Sequence, residues 1–274
     1  MADTDLPPRL SRLAFHGPLS GARADRMAHR LAERLAGTGP GTDPGTDPGC
    51  STGTGPGSVL DIGCGWGELM LRVLERAPGA TGVGIDLRAD DLARGRDSAA
   101  ARGLADRVTF ERESARGTGR GPADLVLCLG AGQALADDGA ADPAAAALRE
   151  LRRLVAPGGR VLFGEGFWQR TPMPAELAEM WPDASAGEYH SLAELVDTAV
   201  GAGFRPVWTE TANDDEWEEF ESGYQCDAEE WLAAQGDHPG AAETRERLDR
   251  HRSSWLRGYR GVLGLAYLTL APVV

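Results

Sequence analysis

The chain contains no lysine: all 28 of its basic residues are arginine. That excludes Schiff-base chemistry on the protein, and with it a lysine-bound pyridoxal phosphate enzyme. Cysteine is sparse as well. Cys50, Cys64, Cys128 and Cys226 lie far apart with no C-x-x-C pair, so neither a zinc knuckle nor a disulfide framework is indicated and no metal site is expected. They read as free thiols in a reducing cytosol. No stretch approaches the roughly 18 apolar residues of a membrane span. The opening "MADTDLPPRLSRLAF" carries acids and prolines where a secretory signal needs a basic start and an apolar core. A cytoplasmic protein off the membrane is expected. Positive charge is short overall, at 28 basic against 42 acidic residues, a formal net charge of -14 and a pI near 4.8. Nucleic acid is therefore not an expected partner, because phosphate binding depends on clustered positive charge.

The 274 residues can bury a sizeable core, as one domain with additions. "SGARADRMAHRLAERLA", Ser20 to Ala36, places Met27, Leu31 and Leu35 at helical spacing behind Ser20 as N-cap. A Gly-Thr-Asp-Pro run over 37–57 follows; its glycine and proline content reads as a flexible surface linker. Residues 1–57 are thus an N-terminal helical segment and linker, and 58–274 the main domain. From Ser58 short apolar runs alternate with helical segments: strands in "SVLDIG", "TGVGIDL", "RVTFER", "ADLVLCLG" and "GRVLFGEG", and helices in "ELMLRVLERA", "ADDLARGRDSAAARG" and "DPAAAALRELRRLVA". Such alternation implies an α/β fold, a doubly wound parallel sheet covered on both faces by helices. Ligands in these folds bind beyond the carboxyl ends of the strands, beside the first one. The second half adds a helix in "HSLAELVDTAVGAGF", a strand in "RPVWTET", two charged helical segments within 212–258, and a closing strand in "GVLGLAYLTLAPVV". The charged pair, like the proline-interrupted stretch 164–190, is expected to form a helical cap.

The turn after the first strand, "VLDIGCGWGEL", spaces Gly63, Gly65 and Gly67 two apart. Glycines there turn the chain sharply and let a ligand approach the backbone. The dinucleotide fingerprint is G-x-G-x-x-G, with the pyrophosphate on the helix N-terminus, but the third glycine position of that pattern holds Glu68. A glutamate in the first helical turn would repel a diphosphate and tolerate an ammonium and a sulfonium. Asp61, two residues before the first glycine, has no task under a diphosphate and can pair with an amino group. Asp86 ends the second strand, where a carboxylate accepts both hydroxyls of a ribose.

In order and spacing, "VLDIGCGWG", "VGIDL", "VTFERESA", "ADLVLCLGAGQAL" and "LRRLVAPGGRVLFGEGFW" resemble the successive motifs of class I S-adenosylmethionine-dependent methyltransferases. The resemblance covers 58–168. It implies a seven-stranded, mostly parallel, Rossmann-like sheet whose last strand, "GVLGLAYLTLA", is antiparallel, and S-adenosylmethionine as cofactor. It further implies that the loop from Gly63 to Gly67 lies against the methionine part with Asp61 near its amino group, that Asp86 binds the ribose and that Leu87 lies against the adenine. The family often has an acid after the third strand that contacts the adenine amino group. Ser114 stands at that position and still accepts a hydrogen bond, with Glu113 as the neighbouring alternative. The resemblance also implies that Leu129 and Gly130 border the cofactor and the substrate.

The reaction so implied is methyl transfer by in-line displacement to an N or O nucleophile of a small organic molecule. Positioning and desolvation supply much of the catalysis, and a general base is needed only if the acceptor arrives protonated. Two alternatives stand beside it: a protein or peptide side chain as acceptor, and a binding module without turnover. Base candidates are His16, in a segment that would fold over the cofactor, Glu165 at a strand's carboxyl end, and His190. Each also has a bland role, as a surface residue, a backbone partner or a helix cap. Substrate contacts are expected from Phe15, Trp168, Tyr189 and Trp217, although Trp168, with Phe167, reads sooner as core or lid packing and Trp217, with Phe220, as the dock of its helix. The acidic run from Asp214 to Glu221 reads as a solvated helix face. An acidic, aromatic mouth would favour a neutral or cationic acceptor. Oligomeric state is not legible.

Overall fold

The computed structural model describes residues 10–36, 57–137 and 139–273. The expected linker, apart from Gly57, and Cys50 lie outside the described residues. Seven strands form one sheet: β1 (Ser58–Ile62), β2 (Thr81–Asp86), β3 (Val108–Arg112), β4 (Ala123–Leu129), β5 (Val155–Trp168), β6 (Phe204–Thr211) and β7 (Leu263–Pro272), in the spatial order β3-β2-β1-β4-β5-β7-β6. The pairs β1–β2, β1–β4, β2–β3 and β4–β5 are all parallel. Against β6, the last strand runs the other way. The Ala212 amide bonds to the Leu265 carbonyl while the Val273 amide bonds to the Gly203 carbonyl, so residue numbers rise on one strand as they fall on the other. Strand order reverses beside β1, which puts a ligand crevice between the carboxyl ends of β1 and β4.

Local sequence explains these elements. β1 and β4 are mainly apolar and almost wholly buried, as strands covered on both faces are. Helix α1 (Gly21–Ala36) starts where Ser20 Oγ accepts the Arg23 amide at 3.2 Å and buries Met27, Leu31 and Leu35. Glu210 of β6 takes Arg23 and Arg30 of α1, and the Arg30 guanidinium lies 4.6 Å from the Trp208 ring. Helix α2 (Glu68–Arg76) buries Leu69, Met70, Leu71, Val73 and Leu74. Helix α3 (Ala89–Ala101) follows β2. Helix α4 (Pro143–Leu154) is capped by Asp142 Oδ1 on the Ala145 amide at 2.9 Å, with Pro143 opening its first turn. It stops two residues short of the expected Ala156, since Pro157 disfavours a helical residue before it; β5 accordingly begins at Val155 rather than Gly159.

The chain divides into two compact units. The sheet unit comprises Ser20–Glu165, Leu195–Glu210 and residues 266–273. The helical unit comprises residues 10–19, Gly166–Glu194 and Thr211–Leu265. In the helical unit α5 (Pro174–Glu179) is a short helix, α7 (Asp214–Ala234) and α8 (Ala241–Ser253) are the two charged helices, and α8 passes into a π-helical turn at Ser254–Tyr259. Between the units in sequence runs α6 (Leu192–Gly201). Its cap is neither Tyr189 nor His190 but Ser191, whose Oγ accepts the Glu194 amide at 3.3 Å while Glu194 Oε2 accepts the Ser191 amide at 2.8 Å.

The acidic run of α7 departs from a solvated face. Asp214, Asp215, Glu218 and Glu219 are exposed, whereas Glu216 and Glu221 are buried, Glu221 at 1% exposure. Each buried acid has partners that replace water. Glu216 closes a capping box with Asn213, and Glu221 accepts from the Tyr259 hydroxyl at 2.7 Å and lies 2.8 Å from His251 Nε2. Nearly two turns further on, Asp227 accepts from the Ser11 amide and hydroxyl at 2.7 and 2.6 Å.

Candidate functional site

In the sheet unit the loop after β1 is built by its glycines. Gly63, Gly65 and Gly67 all sit at positive φ, between 55° and 67°, where side chains other than glycine's are strained. At Gly63 space is also decisive, because a Cβ would lie 2.4 Å from the Cβ of Ala131 beyond β4. Trp66 anchors the loop, buried with the Arg94 guanidinium 3.7 Å from its ring. The Gly65 amide donates to Asp86 Oδ2 at 2.9 Å, and the Arg88 amide to Asp86 Oδ1 at 2.9 Å.

Carboxylates gather at these strand ends. Asp61, opposite Gly84 of β2 and Leu127 of β4, is 6% exposed. Burial first, and the Asp86 charge second, push its carboxyl up to about 8. Burial raises the thiol of Cys64, with the charges of Asp61 and Asp86 adding to it, and raises that of Cys128, where Glu165 and Asp61 add. Neither thiol is a thiolate at neutral pH, so nucleophilic cysteine chemistry is not prepared here. Glu165 reaches back over the segment after β4, where a Cβ on Gly132 would lie 2.4 Å from Glu165 Oε2. Asp61, Asp86 and Glu165 thus share the edge that Gly130 also occupies, its amide bonded to the Gly164 carbonyl at 2.8 Å. Leu129 is paired with Gly164. Leu87 is 63% exposed beside Asp86.

Two expectations change here. Glu68 is not turned toward a ligand; it is held by Arg72 Nε at 2.7 Å and Arg102 Nη2 at 2.6 Å, with its side chain 10% exposed. Its charge is compensated within the fold, so it does not select against a diphosphate. The discrimination falls to Asp61 and Asp86, which have no ion-pair partner among the described residues. A diphosphate would add negative charge beside a buried acid whose ionisation burial and Asp86 already oppose; a group bearing an ammonium favours that ionisation instead. Glu113, the alternative to Ser114, is engaged by Arg120 at 2.7 Å and Thr118 at 2.8 Å. The Arg120 bond, followed by that from Thr118, lowers its carboxyl below the usual range. Ser114 accepts the Arg116 amide at 3.2 Å.

In the helical unit three of the four expected substrate residues join one aromatic group. The Trp168 and Tyr189 rings meet edge to face at 5.0 Å, and Trp217 lies 6.2 Å from Tyr259. Two members were not singled out from sequence: Trp181, stacked on Trp168 at 6.4 Å, and Tyr259, 6.2 Å from Trp181. Aromatic residues at uneven spacings across three segments carry no periodic signal. The indole N–H groups of Trp168 and Trp217 are buried without a hydrogen-bond partner among the described residues. Phe15 is buried, His16 is exposed and His190 half-buried; all three belong to the helical unit, and Glu165 to the sheet unit. Among the described residues no group of three or more His, Cys, Asp or Glu is placed to hold a metal, and no helix is long and apolar enough to cross a membrane.

A methyltransferase-domain family profile matches residues 60–161, from β1 into β5. The uncharacterized protein YjhP of Escherichia coli K12 is 31% identical over 196 residues, 71% of this chain and 76% of that protein. The crystal structure of an S-adenosylmethionine-dependent methyltransferase from Geobacter sulfurreducens, in complex with S-adenosyl-L-homocysteine, superposes with a TM-score of 0.75 and 26% identity, covering 98% of this chain and 99% of that one. A Thiobacillus denitrificans enzyme of the same description and in complex with the same compound shares the fold, at a TM-score of 0.75 and 23% identity over 97% and 99% of the two chains. The glycine cradle that a single Cβ would fill, the ribose-ready carboxylate and the buried acid without a cation fit that cofactor's uncharged sugar and cationic tail. The chain belongs to the class I S-adenosylmethionine-dependent methyltransferases, with S-adenosylmethionine as its cofactor.

Proposed function

We propose that the enzyme methylates a nitrogen or oxygen nucleophile of a small, neutral or cationic organic molecule. The observation that carries this reading is the convergence of Asp61, Asp86 and Glu165 at the carboxyl edge of the sheet, two of them without a basic partner among the described residues. Acids clustered in a partly desolvated site favour a cation, which stabilises their ionised forms, and disfavour a phosphorylated acceptor, which does the reverse.

The cofactor supplies an electrophilic methyl group and its own leaving group. The chain's residues then bind and orient. Asp61 would meet the amino group, the Gly63–Gly67 loop would hold the methionine part, and Asp86 would accept from the ribose hydroxyls. Leu87 would give the adenine an apolar ledge, Ser114 would offer it a hydrogen-bond acceptor, and Leu129 and Gly130 would border the cofactor and the acceptor. Phe15, Trp168, Tyr189 and Trp217 are the proposed acceptor contacts. Glu165 is the proposed proton acceptor for a substrate that arrives protonated, since of the three candidates it alone shares the sheet unit with Asp61 and Asp86.

The test is methylation of a matched set of amine, hydroxyl, carboxylate and phosphorylated acceptors, read as the mass increase of one methyl group. Transfer to amine or hydroxyl members supports the reading. Transfer confined to polyanions, RNA or protein side chains contradicts it.

A further inference from the structure

A cleft of about 140 Å³ lies wholly within the helical unit. Trp217, Trp255 and Tyr259 line it as rings, and Asp214, Glu218 and Arg260 as charges. Glu218 and Arg260 are ion-paired with each other, which leaves Asp214 as the uncompensated charge. Asp214 is not needed to start α7, since Asn213 Oδ1 accepts the Glu216 amide at 2.9 Å and Glu216 Oε2 accepts the Asn213 amide at 3.0 Å. It makes no hydrogen bond or ion pair among the described residues. Gln169 also borders the cleft; its amide nitrogen donates to the Leu263 carbonyl at 3.1 Å, so its amide oxygen is left as an acceptor.

One wall is fixed in advance. The Tyr259 hydroxyl donates to Glu221, which is itself buried and bonded to His251, and the His251 ring stacks on Tyr224 at 4.9 Å. The aromatic wall is therefore held without a ligand, which lowers the ordering cost of binding one. The Trp217 indole N–H, buried with no acceptor among the described residues, is a donor and is not met by an ammonium, which has no lone pair; the features that suit a cation are the Asp214 carboxylate and the ring faces.

We propose that this cleft is a binding subsite for a small protonated amine, a primary or secondary ammonium whose N–H groups meet Asp214 and whose charge lies against the three rings. Aromatic faces attract cations through their quadrupole, and one net negative charge matches a monocation. That the amine belongs to the methyl acceptor rests on the function proposed above; the binding itself does not.

The experiment is calorimetric titration of the full chain with 2-phenylethylammonium, its neutral isostere 2-phenylethanol, and phenylacetate. The amine should bind about tenfold tighter than the alcohol, with the carboxylate weakest. Asp214→Asn, on an exposed side chain, should remove most of that preference and leave S-adenosylmethionine affinity unchanged. Equal binding of amine and alcohol, an amine affinity indifferent to Asp214→Asn, or no amine binding at millimolar concentration would each overturn the proposal. Methylation of a small acceptor alongside absent amine binding discards the cleft and leaves the enzymatic reading intact. Asp214-dependent amine binding without methylation of any acceptor upholds the cleft and removes that reading.

Discussion

The Gly65 amide and the Asp86 carboxylate, 2.9 Å apart, join the loop after β1 to the end of β2. One oxygen of Asp86 accepts from that loop and the other from Arg88. Both retain a lone pair, so the carboxylate is oriented by the backbone before any ribose hydroxyl reaches it. Such preorganisation spares the ordering cost at the moment of binding.

Asp61 ties cofactor binding to pH. Its carboxyl, raised to about 8 by burial and by Asp86, titrates near 3.9 in the unfolded chain. Between these values the folded state holds the extra proton. The stability that the neutral form contributes is therefore full below about pH 4 and lost as pH rises toward 8. An ammonium bound beside Asp61 favours the charged form, so binding at pH 7 should release about one proton. Calorimetry in two buffers of different ionisation heat should show that release, and Asp61→Asn should abolish it. Equal apparent enthalpies in both buffers would remove Asp61 from the ammonium.

Gly63→Ala combines a positive φ with a collision against Ala131. A destabilisation of about 2–4 kcal/mol is expected in urea unfolding, with loss of cofactor binding. Gly139→Ala is the control: its φ is 77° but a Cβ there meets nothing within 4 Å, so about 1–2 kcal/mol of strain alone is expected. Equal losses at the two sites would show that the Ala131 contact is irrelevant.

Glu68→Gln separates the fold from selectivity. With two arginine partners around a side chain that is 10% exposed, its loss should cost about 1–2 kcal/mol of stability after allowance for solvent at the arginines. NAD should remain a non-ligand. NAD binding gained by the variant would return Glu68 to the role its position in the loop motif first implied.

The parallel sheet was readable from the sequence because its strands are apolar runs between helical periods, and "VLDIGCGWG" carries its turn chemistry in adjacent residues. The capping box of α6 lies in the sequence as Ser191 and Glu194, three apart, yet the expected cap was His190. The helical unit was not readable. Its buried acids look solvated by composition, since the partners of Glu221, namely Tyr259 and His251, lie 38 and 30 residues away. Glu68 misled for the same reason: Arg102, 34 residues downstream, supplies half of its compensation. Local pattern registers neither contact. Trp168, Tyr189 and Trp217 were identified singly, but their meeting with Trp181 and Tyr259 is a product of tertiary structure.

The central claim is that S-adenosylmethionine is held by the Asp86 carboxylate over the glycine loop. Calorimetric titration of wild type and Asp86→Ala with S-adenosylmethionine, beside NAD, tests it most directly. The account predicts one S-adenosylmethionine site in the wild type, no NAD binding, and a loss on the order of 100-fold in Asp86→Ala, as two hydrogen bonds to a charged acceptor disappear. An Asp86→Ala affinity equal to that of the wild type, or binding of NAD in place of S-adenosylmethionine, would contradict it.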